Sequence, residues 1–216
     1  MPPTELLGLL AEGFSNTLIL AALSLPPAVA LGALLGVLRA CLSGALRSLL
    51  DAVADVLRGL PLLALLYAFT YGLPELGLSL QPLTASALAL ALCSSAYISE
   101  YVRVGLLSAA EGEILAAQSL GASRLQVLRY VVAPHLLKVA LPAVANEAVY
   151  LLQATTLAGL VGVYELFSAA KTYNSKYFDF WTPAAALAAI FIALSVAIEE
   201  AFEALGSLGR RWLKLR

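Results

Sequence analysis

Long uninterrupted apolar runs constrain this chain more than any other feature. A helix needs about 20 predominantly apolar residues to cross the hydrocarbon core of a bilayer. Several stretches reach that length, the first reading LILAALSLPPAVALGALLGVL up to Leu38. Of the 216 residues, 61% are hydrophobic and only 12% charged, where a soluble domain carries roughly a quarter charged. A soluble fold would have to hide several helices that are apolar on every side. The composition therefore predicts an all-α membrane protein.

The runs predict five transmembrane helices, at about 14–38, 56–73, 83–99, 139–163 and 180–198, within a single transmembrane domain covering 1–216. Ser15 or Asn16 is the expected N-cap of the first span, and Pro26 and Pro27 fall inside it. A polar connector, Arg39 to Arg58, follows. The second span is short, with Arg58 expected to snorkel to the headgroups. Cys41 and Cys93 have no ligand-type spacing and read as small apolar residues. The first residues, MPPTELLGLLAEGFSN, lack the basic n-region of a cleaved leader and read as retained chain.

Charge placement orients the bundle. With five spans, Arg39, Arg47, Arg58, Arg103, Arg124, Arg129, Lys138, Arg210, Arg211, Lys214 and Arg216 fall on one side, and only Lys171 and Lys176 on the other. Short basic loops stay cytoplasmic, so the N-terminus is expected outside, the C-terminus in the cytoplasm, and the loop 100–138 on the cytoplasmic side. The protein is expected in the cytoplasmic membrane as a multi-pass chain. The near-zero net charge gives no reason to expect nucleic acid as a partner.

The stretch from Tyr97 to Pro142 interrupts this lipid-compatible pattern. A small-residue helix around Ala116 and Ala117 is predicted to stop at Gly121. A new helix then starts at Ser123, with Gln126 at the spacing of a reciprocal capping box. Helix, glycine break and capped helix together predict a docking element.

Enzymatic motifs are missing. No GxxxxGK[ST] cradles a nucleotide, His135 has no HExxH or cysteine company, and no Ser–His–Asp set suggests itself. His135 reads as a structural residue at the cytoplasmic interface. Glu147 is the unusual group, a carboxylate well inside the fourth span. Asn146, Tyr150 and Gln153 share one helix face, with Glu147 and Thr156 flanking it. Such a carboxylate must face protein, water or a cation. Interhelical hydrogen bonding is one account; a substrate pathway is the other and accommodates so many polar groups better. Glu100 reads as the i,i+3 partner of Arg103, with positioning of the docking stretch as the sharper alternative. The outer loop Glu165 to Asp179 suggests a short interfacial helix or a contact for an external partner.

These residues resemble a family. The central stretch is similar to the EAA loop of bacterial and archaeal ABC import permeases: Leu115-Ala116-Ala117, three residues, Gly121, nine residues, then Val131-x-Ala133-Pro134, with Leu115 in place of the usual Glu. Arg58-Gly59-x-Pro61-Leu62, Ala96-Tyr97-x-Ser99-Glu100-x-x-Arg103, Leu120-Gly121-x-Ser123-x-x-Gln126, Asn146-Glu147, Thr155-Thr156-Leu157 and Gly162-Val163-x-Glu165-Leu166 resemble the polar amino acid subfamily. The similarity runs from Thr17 to about Ile198.

The resemblance implies a type I ABC importer (MetI-like) fold that dimerises, as a homodimer or with a sister permease. It implies a coupling helix, with Leu115, Ala116, Ala117, Gln118, Gly121, Ala122 and Ser123 meeting a cytosolic ATPase dimer. Alternating access to an amino acid delivered by an extracytoplasmic binding protein would follow, with Glu147, Asn146, Tyr150, Gln153, Thr156 and Tyr97 as substrate residues. No cofactor is implied in this chain; ATP and Mg belong to the ATPase, so the chain itself is not expected to be an enzyme. Gln153 stands where many relatives carry Lys. Import of another small solute is the alternative, and an ion-coupled secondary transporter a more distant one, lacking visible inverted repeats or charge relays.

Overall fold

The bundle is organised around one helix rich in Ala and Ser. A computed structural model of the chain describes residues 3–212, with side chains for 4–209. Helix α5, Pro82–Leu107, buries Ala85, Ser86, Ala89, Leu90, Ser94, Ala96, Ile98, Ser99 and Gly105 among others. Small side chains let neighbouring backbones approach closely, which is how helices associate where no hydrophobic force separates them from lipid.

Helix α1, Pro3–Cys41, lies along α5 in the most extensive contact of the fold. It begins well before the expected residue 14 and runs through Pro26 and Pro27. Ser15 and Asn16 are therefore mid-helix and cap nothing. The Ser15 hydroxyl donates to the Ala11 carbonyl, and the Asn16 amide to the Tyr164 carbonyl at 2.8 Å. The anticipated polar connector is helical: α2, Gly44–Gly59, packs against α5.

After a bend at Leu60 and Pro61, α3 (Leu62–Tyr67) continues through a π turn (Ala68–Gly72) into the short α4 (Leu73–Glu75). At six, five and three residues, this segment is shorter than a perpendicular span needs. Among the described residues four helices are long and apolar enough to cross a membrane: Thr4–Cys41, Pro82–Leu107, Arg124–Val161 and Trp181–Gly209. The third and fifth expected spans are thus longer than their apolar runs.

The central stretch forms α6, Glu111–Ser119, and then α7, Arg124–Val127. The second helix is not a separate docking piece. It passes through a π turn (Leu128–Val132) into α8, Ala133–Ala154, and a 3-10 turn (Thr155–Val161). Helix α9, Leu166–Tyr177, crosses the α1 N-terminal half, and α10, Trp181–Trp212, packs on α8 and α9. Of the basic residues used for the orientation, the Arg210 and Arg211 side chains and all of Lys214 and Arg216 lie outside the described residues.

Three apolar clusters hold these helices. Leu20, Leu62, Leu66, Leu90 and Val161 join α1, α3, α5 and the 3-10 turn. Ala28, Ile98, Val102, Val144 and Leu151 join α1, α5 and α8. Leu6, Leu10, Leu166 and Tyr173 join α1 to α9, with Ile190 and Phe191 of α10 alongside.

Candidate functional site

Glu147 lies on the α8 face turned towards α5 and is 4% exposed. The Tyr101 hydroxyl of α5 donates to its Oε2 across a long 3.5 Å and the Ser94 hydroxyl lies nearby, while Oε1 is buried with no hydrogen-bond partner among the described residues. A half-bonded carboxylate at this depth is costly unless a donor or cation reaches it. The predicted polar face divides around it. Asn146, Tyr150 and Gln153 are exposed, Tyr150 at 47%, so they form an outward row beside the buried acid. The Thr156 hydroxyl is spent on the Gln153 carbonyl at 2.8 Å, and that of Tyr97 on the Arg58 carbonyl at 3.1 Å. Tyr101 is the member that sequence reasoning misses. It sits four residues beyond Tyr97 on α5, a spacing that places both on one helix side and is the signal that could find it.

The row on α8 continues into a cavity of about 770 Å³ between α8 and α10, lined by Leu137, Lys138, Leu141, Asn146, Glu199 and Phe202 among others.

The second candidate site is the coupling segment, which stands away from the bundle. No residue of α6 is buried; Leu115 is 54% and Leu120 89% exposed. Its end is built by a reciprocal pair of bonds: the Ala122 N–H donates to the Ala117 carbonyl at 3.1 Å and the Gly121 N–H to the Gln118 carbonyl at 2.9 Å. This arrangement requires the residue after the cap in a left-handed conformation, and Gly121 has φ +83°. The capping box is present: the Ser123 N–H donates to Gln126 Oε1 at 2.7 Å, and the Gln126 N–H to Ser123 Oγ at 3.4 Å. His135 ties the segment to the base of α8. Its Nδ1 donates to the Val131 carbonyl at 2.9 Å, and its Nε2 lies 3.4 Å from Glu113 Oε2.

A Cβ at Gly121 would meet nothing within 4 Å, so the cost of Gly121→Ala is backbone strain alone, about 1 kcal/mol. Amide exchange across residues 115–123 is expected to speed up roughly five-fold. Unchanged exchange would show that the turn does not hold the segment.

Beside the coupling end lies a charge cluster that run lengths and spacings do not reveal. Arg39, 3% exposed at the end of α1, reaches Asp51 of α2 through Nε at 2.7 Å, Ser99 Oγ through Nη1 at 2.9 Å and Glu100 Oε2 through Nη2 at 3.0 Å. Glu100 also meets Arg103 at 2.5 Å and Arg58 at 3.6 Å. The expected Glu100–Arg103 pair exists but is one edge of a larger cluster. Hydrogen bonding from Arg39 holds the Asp51 carboxyl below the usual range.

Comparison with known proteins places this geometry. Residues 28–206 match the model of the binding-protein-dependent transport system inner membrane component. The chain belongs to that family. It is 34% identical to the "Probable glutamine ABC transporter permease protein GlnP" of Bacillus subtilis (strain 168), covering 81% of this chain and 80% of the relative. It is 31% identical to that organism's "Probable amino-acid ABC transporter permease protein YckA", covering 85% and 81%. The solved structure of an amino acid ABC transporter with histidines superposes with a TM-score of 0.81 at 28% identity, covering 93% of this chain and 94% of that one. An inward-facing methionine ABC transporter, MetNI, shares the fold with a TM-score of 0.74 at 23% identity, covering 93% and 96%.

The chain is thus a permease subunit of an ABC importer, a multi-pass inner-membrane protein with the MetI-like type I fold. Membership of this permease family implies an ATPase and a binding protein as partners.

Proposed function

We propose that this permease carries polar amino acids and that Glu147 meets their ammonium charge on the transport path. The half-bonded buried carboxylate carries this reading, because its orphan oxygen is where a cationic group would relieve the desolvation cost. The substrate class is supported by relatives named as amino-acid and glutamine permeases. Asn146, Tyr150, Gln153 and Thr156 of α8 and the turn after it, with Tyr97 of α5, would border the path. A carboxylate there disfavours oxyanions.

The chain 1–216 acts in this reading as one transmembrane domain of five spans, with the segment around α3 as the second, the N-terminus outside and the C-terminus cytoplasmic. The one-sided distribution of basic residues supports that orientation. Residues 100–138 then face the cytoplasm, and Leu115, Ala116, Ala117, Gln118, Gly121, Ala122 and Ser123 seat in a groove of the ATPase, which holds ATP and Mg. This chain holds no cofactor. A second copy, or a sister permease, completes the path. ATPase closure moves the coupling helices and shifts the paired bundles between inward- and outward-facing states, because the two states make different contacts at the groove.

Reconstitution with the ATPase and a binding protein loaded from a panel of amino acids tests this. Hydrolysis should rise with a loaded binding protein, and Glu147→Gln should cut uptake roughly ten-fold or more, the worth of a charged hydrogen bond, while the ATPase complex still assembles. Full uptake by the variant would make Glu147 a helix-packing group. Stimulation only by a solute other than an amino acid would transfer the chain to that substrate class.

A further inference from the structure

The loop joining α9 to α10 presents three large aromatic side chains outward. Phe178 is 81% exposed, Phe180 64% and Trp181 87%. The loop is tightly built. The Phe178 N–H donates to the Asn174 carbonyl at 2.8 Å and closes α9, and Asp179 Oδ1 accepts from the Thr182 N–H at 3.1 Å at the start of α10. Phe178 has φ +54°, a conformation that disfavours a bulky side chain and ordinarily calls for glycine or asparagine. A water-facing turn would gain from either of those residues; an apolar surrounding favours phenylalanine.

Depth and direction identify that surrounding. From Trp181 the chain runs TPAAALAAIFIALSVAI without a charge to Glu199. At 1.5 Å per residue this is about 27 Å, close to the roughly 30 Å of a hydrocarbon core. With Glu199 at one boundary, Trp181 and the two phenylalanines before it lie at the other. At 100° per residue Trp181 falls about 20° from Ile192 on the helix circumference. Ile192 is 65% and Val196, one turn on, 48% exposed. The aromatic loop thus continues an exposed apolar stripe of α10.

We propose that Phe178, Phe180 and Trp181 form a wedge seated at the headgroup–acyl boundary of the lipid, fixing the height of α9 against the bilayer. The leaflet, the outer one, rests on the orientation proposed above; the depth does not. An aromatic ring with one apolar end suits this boundary.

The chain has two tryptophans, so Trp212→Phe leaves Trp181 as sole reporter in the full-length protein. In phosphatidylcholine vesicles carrying brominated acyl chains, its fluorescence should be quenched at least two-fold more by bromines near the carbonyl than by bromines near the chain end. Aqueous iodide should quench little. Strong iodide quenching without bromolipid quenching would overturn the proposal in favour of a water-facing surface. Quenching by neither would overturn it in favour of cover by protein. Because brominated lipid occupies both leaflets, these outcomes do not depend on orientation. Labelling Ser175→Cys with an impermeant maleimide in intact cells, in a chain whose Cys41 and Cys93 are alanine, reads the leaflet separately.

Discussion

Gly32→Val should lower the unfolding temperature of the purified permease by about 2–12 °C, and Gly36→Val should do the same. A Cβ at Gly32 would stand 2.6 Å from the Ile98 Cβ and 2.8 Å from the Ser95 carbonyl oxygen. At Gly36 it would stand 2.6 Å from the Ser99 carbonyl oxygen and 2.8 Å from the Val102 Cβ. Contacts below 3.0 Å with backbone cannot be relieved by turning a side chain, so α1 and α5 must separate. Overpacking of this kind costs about 1–3 kcal/mol, and each kcal/mol moves the midpoint by about 2–4 °C in a chain of this size. Gly8 and Gly59, where an added methyl group would meet open space, should accept alanine with little change. Thermal unfolding in one detergent checks the set, and a wild-type midpoint for Gly32→Val would show that α1 does not depend on close contact with α5.

The two glycines show what can be read from the sequence and what cannot. Gly32-x-x-x-Gly36 is a spacing known to bring membrane helices together, and it lies in plain view inside the first apolar run. Its partner, however, is Ser95 and Ser99, some sixty residues on, and no local pattern names a partner. Apolar run length predicts the class and the number of long helices to within the short second span. It fails at helix ends, because helices outrun their apolar cores: α5 passes Glu100 and Arg103, and α10 extends beyond Glu199. Charged residues there are solvated or paired and do not stop a helix.

Capping chemistry is more legible because it is local. Ser123 and Gln126 form their box and Gly121 its left-handed turn, since both depend on spacings of a few residues. The reverse holds for Asn16, an expected cap, and its neighbour Thr17. Both bridge to the start of α9: the Asn16 amide donates to the Tyr164 carbonyl, the Leu166 N–H donates to the Thr17 hydroxyl at 3.1 Å, and the Glu165 carboxylate accepts from the Phe167 and Ser168 N–H groups. Glu147 stands out by its depth in an apolar run, but its separation from the exposed Asn146, Tyr150 and Gln153 depends on which helix covers it. That is a tertiary fact.

Arg39→Ala should be strongly destabilising, costing roughly 3 kcal/mol, the low end of the range for removing one partner of a buried ion pair, because the guanidinium is buried while Asp51 and Glu100 are 33% and 21% exposed. The guanidinium is 3% exposed and is shared by Asp51, Ser99 and Glu100, so its loss removes the one cation that links the two carboxylates and leaves Asp51 to Arg47 at 3.5 Å and Glu100 to Arg103 and Arg58. Gly36 makes this possible. It lies three residues before Arg39, and the Ser99 backbone it touches belongs to the residue whose hydroxyl accepts from Arg39. Close approach of the helices thus carries the guanidinium to α5, and Asp51 draws α2 to the same point. Arg39→Lys keeps the charge but offers no planar fork for three acceptors, so it should fall between wild type and alanine. Combining Arg39→Ala with Asp51→Asn should recover part of the loss, because the carboxylate that has lost its closest cation is removed. The Asp51 carboxyl is held below its ordinary 3.8 by Arg39. Its contribution is therefore present at neutral pH and lost as pH falls through and below that value, whereas the Arg39→Ala chain should show less of this acid sensitivity. Thermal unfolding of the wild type, Arg39→Ala, Arg39→Lys, Asp51→Asn and the double variant at neutral and acid pH measures both effects, and additive losses in the double variant would mean that Arg39 and Asp51 act independently.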